Sequence, residues 1–366
     1  MLNNLTIPPP PPRRRSHHKP SLHSFKLPRK NVIITLSVLG TATFYAIDTL
    51  TLSFSRTSSY NTRKMSSSHH KKKHPPSSSG GTWPDIAWLM AFPNSGTFYT
   101  TILTERSSGT TTATNYKTEL GERLATLSDA SRGENGPYRF SPRPFPKKFI
   151  LTKTHCQGYC TECDPDRVQT SPREFTAGCF TGSRPAAEYD RSAVKRAVHL
   201  VRNPFDNVVA RFHFAMSLRK MQQRKDWRYE NSRKGFRRWC RDQDERFPAA
   251  EVRWRYSRVS MEGVPCYSEF FQYVQWHNNA FATVEELGLP ELLVRYEDYQ
   301  EGSFRETVSR LFDFLGLDVV RGRFNRFDWN GGYSDYFTNK EREAVEAFVG
   351  GFASERTRME LKGYFE

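Results

Sequence analysis

Four short apolar runs punctuate the chain after its first eighty residues, at 86–92, 149–153, 197–202 and 292–296. None alternates with polar residues, which is the pattern of strands buried on both faces, as in a parallel sheet. Helical periodicity follows the first, third and fourth runs. Ser303-Phe304-Arg305-Glu306 has the spacing of a capping box ahead of a helix that gathers Val308, Leu311, Phe312 and Leu315 on one face. Thr338-Asn339-Lys340-Glu341 repeats that signal, with Val345, Phe348 and Val349 behind it. Strands and helices in alternation predict an α/β fold, a three-layer sandwich with a central parallel sheet, built as one domain from residues 83–366.

One longer apolar run, 32–54, lies before this domain. It is rich in threonine and interrupted by Asp48. Residues 32–47 would span about 24 Å as a helix, somewhat less than the ~30 Å of a bilayer core. The run predicts a single signal-anchor transmembrane helix, with residues 1–31 as a disordered basic cytosolic tail and 55–82 as a flexible stem. A cleaved organelle-targeting segment is the alternative. The chain's charge fits this division. Of its formal +16, most comes from residues 1–80, which hold 13 Lys+Arg and only Asp48. A nucleic-acid binder carries such an excess on its folded part, so that class is set aside.

The chemistry concentrates where strands end. The first run leads into Pro93-Asn94-Ser95-Gly96-Thr97 and then Phe98-Tyr99-Thr100. A tight turn between a buried strand and a helix start presents free N–H groups and a positive dipole end to an anion. No G-x-x-x-x-G-K-[ST] loop is present. The second run ends in Lys153-Thr154-His155, the third in Arg202-Asn203-Pro204-Phe205-Asp206. Asn203 suits a helix N-cap and Pro204 the first turn, which leaves Arg202 at a strand tip for a phosphate.

In this order and spacing the segments resemble sulfotransferases that use 3′-phosphoadenosine 5′-phosphosulfate (PAPS). Pro93–Thr97 resembles their 5′-phosphosulfate loop, and Arg202–Asp206 their 3′-phosphate motif. Lys153-Thr154-His155 is similar to the motif whose histidine is the catalytic base in the cytosolic branch. Val294-Arg295-Tyr296-Glu297-Asp298 and Phe312-Asp313-Phe314-Leu315-Gly316 resemble a late strand and helix of that fold. Gly331–Thr338 resembles the C-terminal cofactor loop, with Arg326 where the loop has an arginine. The resemblance implies a PAPS-dependent transferase that needs no metal. Asn94, Ser95, Gly96, Thr97, Phe98 and Tyr99 would hold the 5′-phosphosulfate, Arg202, the Ala210 position and Arg326 the 3′-phosphate. His155 would act as base, and Lys153 would stabilise the leaving phosphate.

The chain departs from that pattern twice. Asn94 stands where the loop usually has Lys or Arg, making Lys153 the expected substitute, with Lys147 and Lys148 as alternatives. Ala210 stands where a serine is expected, with Arg211 or Ser217 as replacements. Cys156, Cys160 and Cys163 have a spacing that could hold zinc, with His155 as a further ligand. A luminal domain favours disulfides instead, Cys156, Cys160, Cys163 and Cys179 pairing among themselves and Cys240 with Cys266. Between Arg219 and Arg241 lie ten basic residues against Asp226 and Glu230, interleaved with Trp227, Tyr229, Phe236 and Trp239. Arg233, Lys234, Arg237 and Arg238 are therefore expected to bind an anionic polysaccharide acceptor. The whole reading is a Golgi type II membrane sulfotransferase acting on a carbohydrate hydroxyl. The alternatives are a P-loop kinase-like phosphotransferase and a non-enzymatic membrane-tethered zinc and cysteine adaptor.

Overall fold

A computed structural model describes residues 83–117, 132, 136–158, 170–181, 188–221, 229–246, 261–320, 327 and 332–366. The expected tail, anchor and stem lie outside these residues. No helix of the described residues is long and apolar enough to cross a membrane.

Six strands form one sheet: β1 Asp85–Ala91, β2 Ala113–Thr114, β3 Tyr138–Arg139, β4 Phe149–Thr154, β5 Val194–Val201 and β6 Glu291–Arg295. Their order across the sheet is β3-β2-β4-β1-β5-β6. The four long strands are the four apolar runs of the sequence, each shifted by a few residues at most. The sheet is mixed rather than wholly parallel, because the short β3 runs antiparallel to β2 at one edge. Two-residue strands carry no period to read, so β2 and β3 were invisible in the sequence.

Side-chain alternation on β1 divides the core. Ile86, Trp88 and Met90 face one layer, which includes Phe205, Val208 and Phe212 of α3 (Pro204–Met221) and Phe270, Val274 and Trp276 of α5 (Tyr267–Glu286). Ala87, Leu89 and Ala91 face the other, with Leu103 of α1 (Thr97–Ser108) and Val308, Leu311, Phe312 and Leu315 of α6 (Phe304–Leu315). This is the expected three-layer arrangement. The remaining helices are α2 (Pro172–Thr181), α4 (Arg233–Asp244), α7 (Asn339–Phe352) and α8 (Glu355–Leu361).

The two capping signals fare differently. Thr338 and Glu341 form the reciprocal box at the start of α7. Ser303 precedes α6 but makes no side-chain cap; its hydroxyl donates to the Asp298 carbonyl at 3.0 Å. The long α5 gave no amphipathic signal because it is buried nearly all round, with Glu269, Gln272 and His277 interior beside its aromatics. His277 stacks on His199 of β5, their nitrogens 2.9 Å apart, and burial holds its imidazole well below the usual range. That pair lies in the core and away from the strand ends, consistent with a packing role.

Disulfides join Cys156 to Cys179 and Cys240 to Cys266. The second ties α4 to the start of α5. Beside it Asp244 accepts the Ser268 N–H at 3.0 Å, and burial raises its carboxyl from an ordinary 3.8 to about 7. A carboxyl raised in the fold binds its proton more tightly folded than unfolded, so its stabilisation is full below about pH 4 and lost as pH rises through about 7. Burial raises Glu105, Asp206 and Glu297 in the same direction. Thermal melts should therefore show stability falling from pH 4 towards 7, and Asp244→Asn, which keeps the acceptor oxygen, should flatten that fall. Parallel pH dependence in both proteins would contradict the assignment.

Candidate functional site

β1 has β4 on one side and β5 on the other, both parallel to it, with Met90 level with Thr154 and Ala91 with Leu200. Three carboxyl ends therefore lie side by side where the chain switches from one half of the sheet to the other. Ligands of open α/β sheets bind at such a point. The turn after β1, His155 after β4 and Arg202 after β5 all occupy this edge.

The turn is built from two left-handed residues, Asn94 at φ 66° and Gly96 at φ 98°. The Ser95 N–H closes it on the Phe92 carbonyl at 3.3 Å. Gly96 is the N-cap of α1 and has no side chain to cap it, so the positive end of the helix dipole stands at the turn. A second reason for glycine was not foreseen: a Cβ at Gly96 would lie 2.3 Å from the Tyr296 ring. Ser95, Thr97 and Thr100 are buried at the helix start, and Thr100 pairs with the Tyr299 hydroxyl at 3.1 Å. Phe98 and Tyr99 turn their rings into packing against Phe140 and Phe327, so only their backbone groups belong to the site.

Two side chains from the β5–α3 junction grip the turn. Arg202 Nη1 donates to the Asn94 carbonyl at 2.7 Å, and the guanidinium lies over the Tyr296 ring at 4.6 Å. Asn207 Nδ2 donates both to the Pro93 carbonyl and to Ser95 Oγ, at 3.0 Å each. Asn203 caps α3 as expected, accepting the Phe205 N–H at 2.9 Å, while its own N–H donates to Glu297 at 2.8 Å. Arg202 is thus less free than a bare strand tip implied. Its Nε and the Asn94 Oδ1 are nonetheless buried without a protein hydrogen-bond partner. The orphaned Arg202 Nε–H, beside the positive end of α1, suits a polar, anionic ligand.

His155 is 1% exposed and held from several sides. Its N–H donates to the Tyr116 hydroxyl and its carbonyl accepts from Trp276 Nε1, both at 2.7 Å. Nδ1 lies 2.7 Å from the Ala91 carbonyl. A carbonyl can only accept, so Nδ1 carries the hydrogen and Nε2 is the basic nitrogen. Lys153, 2% exposed, sits one strand from the turn, level with Leu89. Lys147 and Lys148 do not qualify as substitutes. Both are exposed and precede β4, so they lie at the far end of a strand some 20 Å long.

Other expectations need correction. Ala210 is buried in α3, and neither proposed replacement is available. Arg211 is paired with the buried Glu269, and Ser217 donates back to the His213 carbonyl at 3.0 Å. Phe236 and Trp239 are not platforms for sugars: they form the inner face of α4, at 0% and 1% exposure. Arg237 is engaged with Glu341 and the Tyr336 carbonyl, each at 2.6 Å. Arg233, Lys234 and Arg238 remain exposed. With Cys156 joined to Cys179, the zinc reading loses its first ligand, and no metal-binding cluster occurs among the described residues. Cys160, Cys163, Trp227 and Arg326 lie outside the described residues. In the C-terminal loop, the Tyr333 N–H docks on Asp206 at 2.8 Å.

Asn207, Tyr296, Tyr116 and Trp276 were not singled out as site residues. Asn207 directly follows the Arg202–Asp206 motif and Tyr296 lies inside a quoted segment, but only contact reveals what they hold. Asn207→Ala removes two hydrogen bonds from the turn, each contributing about 0.5–1.5 kcal/mol. Amide exchange at Ser95 and Gly96 should accelerate at least fivefold, with the sheet amides of β1 unchanged; unaltered exchange at the turn would show that Asn207 does not hold it.

Against known proteins, residues 167–347 match the family model described as the sulfotransferase domain. No curated protein and no solved structure matches the chain. The matched span contains Arg202 and the basic face of α4, whereas the turn at 93–97 and the Lys153–His155 pair precede it and rest on the geometry alone. This match identifies residues 167–347 as a sulfotransferase domain.

Proposed function

We propose that the protein transfers the sulfuryl group of PAPS to a hydroxyl of an anionic glycan. The sulfotransferase domain supports sulfuryl transfer itself. The observation that carries the finer reading is the meeting of the turn, His155 and Arg202 at the ends of three adjacent parallel strands. The orphaned Arg202 Nε–H fits a phosphate-bearing nucleotide there.

PAPS supplies an activated sulfuryl group on its 5′-phosphate. The Ser95 and Thr97 hydroxyls, at the positive end of the α1 dipole, would hold that end. Arg202, fixed by the Asn94 carbonyl and Tyr296, would serve the 3′-phosphate through its orphaned Nε–H and keeps the turn in shape. The Lys153 ammonium takes the place of the cation that Asn94 lacks and stabilises charge on the leaving phosphate. His155, its Nδ1 hydrogen held by Ala91, accepts the acceptor hydroxyl's proton at Nε2. Catalysis in this scheme is positioning and charge stabilisation, with no metal.

The exposed Arg233, Lys234 and Arg238 of α4 recruit the acidic acceptor. Two disulfides among the described residues support an oxidising compartment, and with the apolar run at 32–54 they favour a Golgi membrane protein with a luminal domain.

His155→Ala should lower kcat by roughly 10²–10⁴, leaving affinity for the product nucleotide PAP nearly unchanged. A variant with full activity would remove His155 as the base. Arg233→Ala/Lys234→Ala/Arg238→Ala should raise acceptor KM and flatten its salt dependence, with PAPS KM constant. Arg237→Ala should instead lower Tm through loss of its tie to α7. Equal rates on neutral and acidic acceptors would refute the acidic substrate.

A further inference from the structure

The residue after His155 is one half of a disulfide, and the geometry points to a positioning role for that bond. We propose that Cys156–Cys179 holds the His155 imidazole in register with the donor site, an inference that rests on the sulfuryl-transfer reading above.

Cys156 is one of three described non-glycine residues with positive φ, at 53°. This conformation, unfavourable for a side-chain-bearing residue, turns the chain sharply once β4 has ended. The turn is locked from two directions. The Cys156 N–H donates to Thr154 Oγ1 at 3.2 Å, and that hydroxyl donates to the Cys179 carbonyl, also at 3.2 Å. The same carbonyl accepts from Asn115 Nδ2 at 2.7 Å and from the Tyr189 hydroxyl at 3.3 Å. Cys179 is thus a fixed point, 0% exposed in the core near the end of α2.

α2 is itself braced on α5. Thr176 and Thr283 share a hydrogen bond of 2.9 Å, and Phe175 meets Trp276 edge-on with ring centroids 5.5 Å apart. Trp276 returns to the His155 carbonyl. The path from His155 through Cys156, Cys179, α2 and α5 back to His155 is therefore a closed ring with one covalent cross-link. Opening it at the disulfide leaves the left-handed Cys156 backbone held by the Thr154 hydroxyl and, through the His155 carbonyl, by Trp276. The imidazole must keep its Nδ1 hydrogen on Ala91 to present Nε2, so loss of register falls on the proton-transfer step rather than on nucleotide binding.

The test compares Cys156→Ala/Cys179→Ala with Cys240→Ala/Cys266→Ala, which removes the disulfide distant from His155. Both should lower Tm. At a temperature where each is folded and with acceptor saturating, the first should lose at least tenfold in kcat with PAPS KM and PAP Kd within twofold of wild type. The second should keep kcat within twofold. Thr154→Val, close in shape and unable to bridge Cys156 and Cys179, should lower kcat severalfold with the same KM split. It provides a readout even if the first variant does not fold. Wild-type kcat in either the Cys156→Ala/Cys179→Ala or the Thr154→Val variant, or an equal loss of PAP affinity, would overturn the proposal. Wild-type protein that transfers no sulfuryl group from PAPS would instead overturn the function on which it rests.

Discussion

The site depends on the burial of β1 from Ile86 onward. Residues 86–92 are all at 0% exposure, packed from both faces by side chains of α3 and α5 on one side and α1 and α6 on the other. A strand so enclosed has no freedom of register, because a one-residue slip would exchange its two faces. The position of the turn at 93–97 is thereby set by the core, and with it the distance to the neighbouring ends of β4 and β5.

Polar contacts then convert that edge into a site. Arg202 and Asn207 reach from the third strand's end to the first strand's turn, while the Ala91 carbonyl at the first strand's end orients the His155 ring of the second. Each of the three strand ends is thus held by another. The Asn94 backbone serves the Arg202 clamp, and in the proposed scheme Arg202 and Lys153 supply the positive charge that Asn94 lacks. Buried Glu297 near Arg202, bonded to the Asn203 N–H and the Tyr364 hydroxyl, anchors this junction to the C-terminus.

Much of this was legible in the residues. Uninterrupted apolar runs marked the four long strands, and the motifs at their ends were placed together by the sheet order. What the sequence hid has physical reasons. α5 is buried all round and so shows no one-sided period. Phe236 and Trp239 sit among charges that are consecutive in sequence, although at helical spacing they lie on the opposite face of α4 from Lys234 and Arg238. Arg237 and Arg211 were counted as free cations, and only the fold brings Glu341 and Glu269 to them. Gly96 was read for its backbone freedom alone, since nothing in the sequence places the Tyr296 ring against it.

The account's central claim is that this sheet edge catalyses sulfuryl transfer from PAPS to a glycan hydroxyl without a metal. The most direct measurement is transfer of radiolabelled sulfate from PAPS, in the presence of a chelator, across a panel of acidic and neutral glycans, glycolipids and tyrosine peptides. The account predicts label on an acidic glycan and no dependence on added divalent cation. Label on none of the panel, on tyrosine peptides alone, or only when metal is supplied would contradict it.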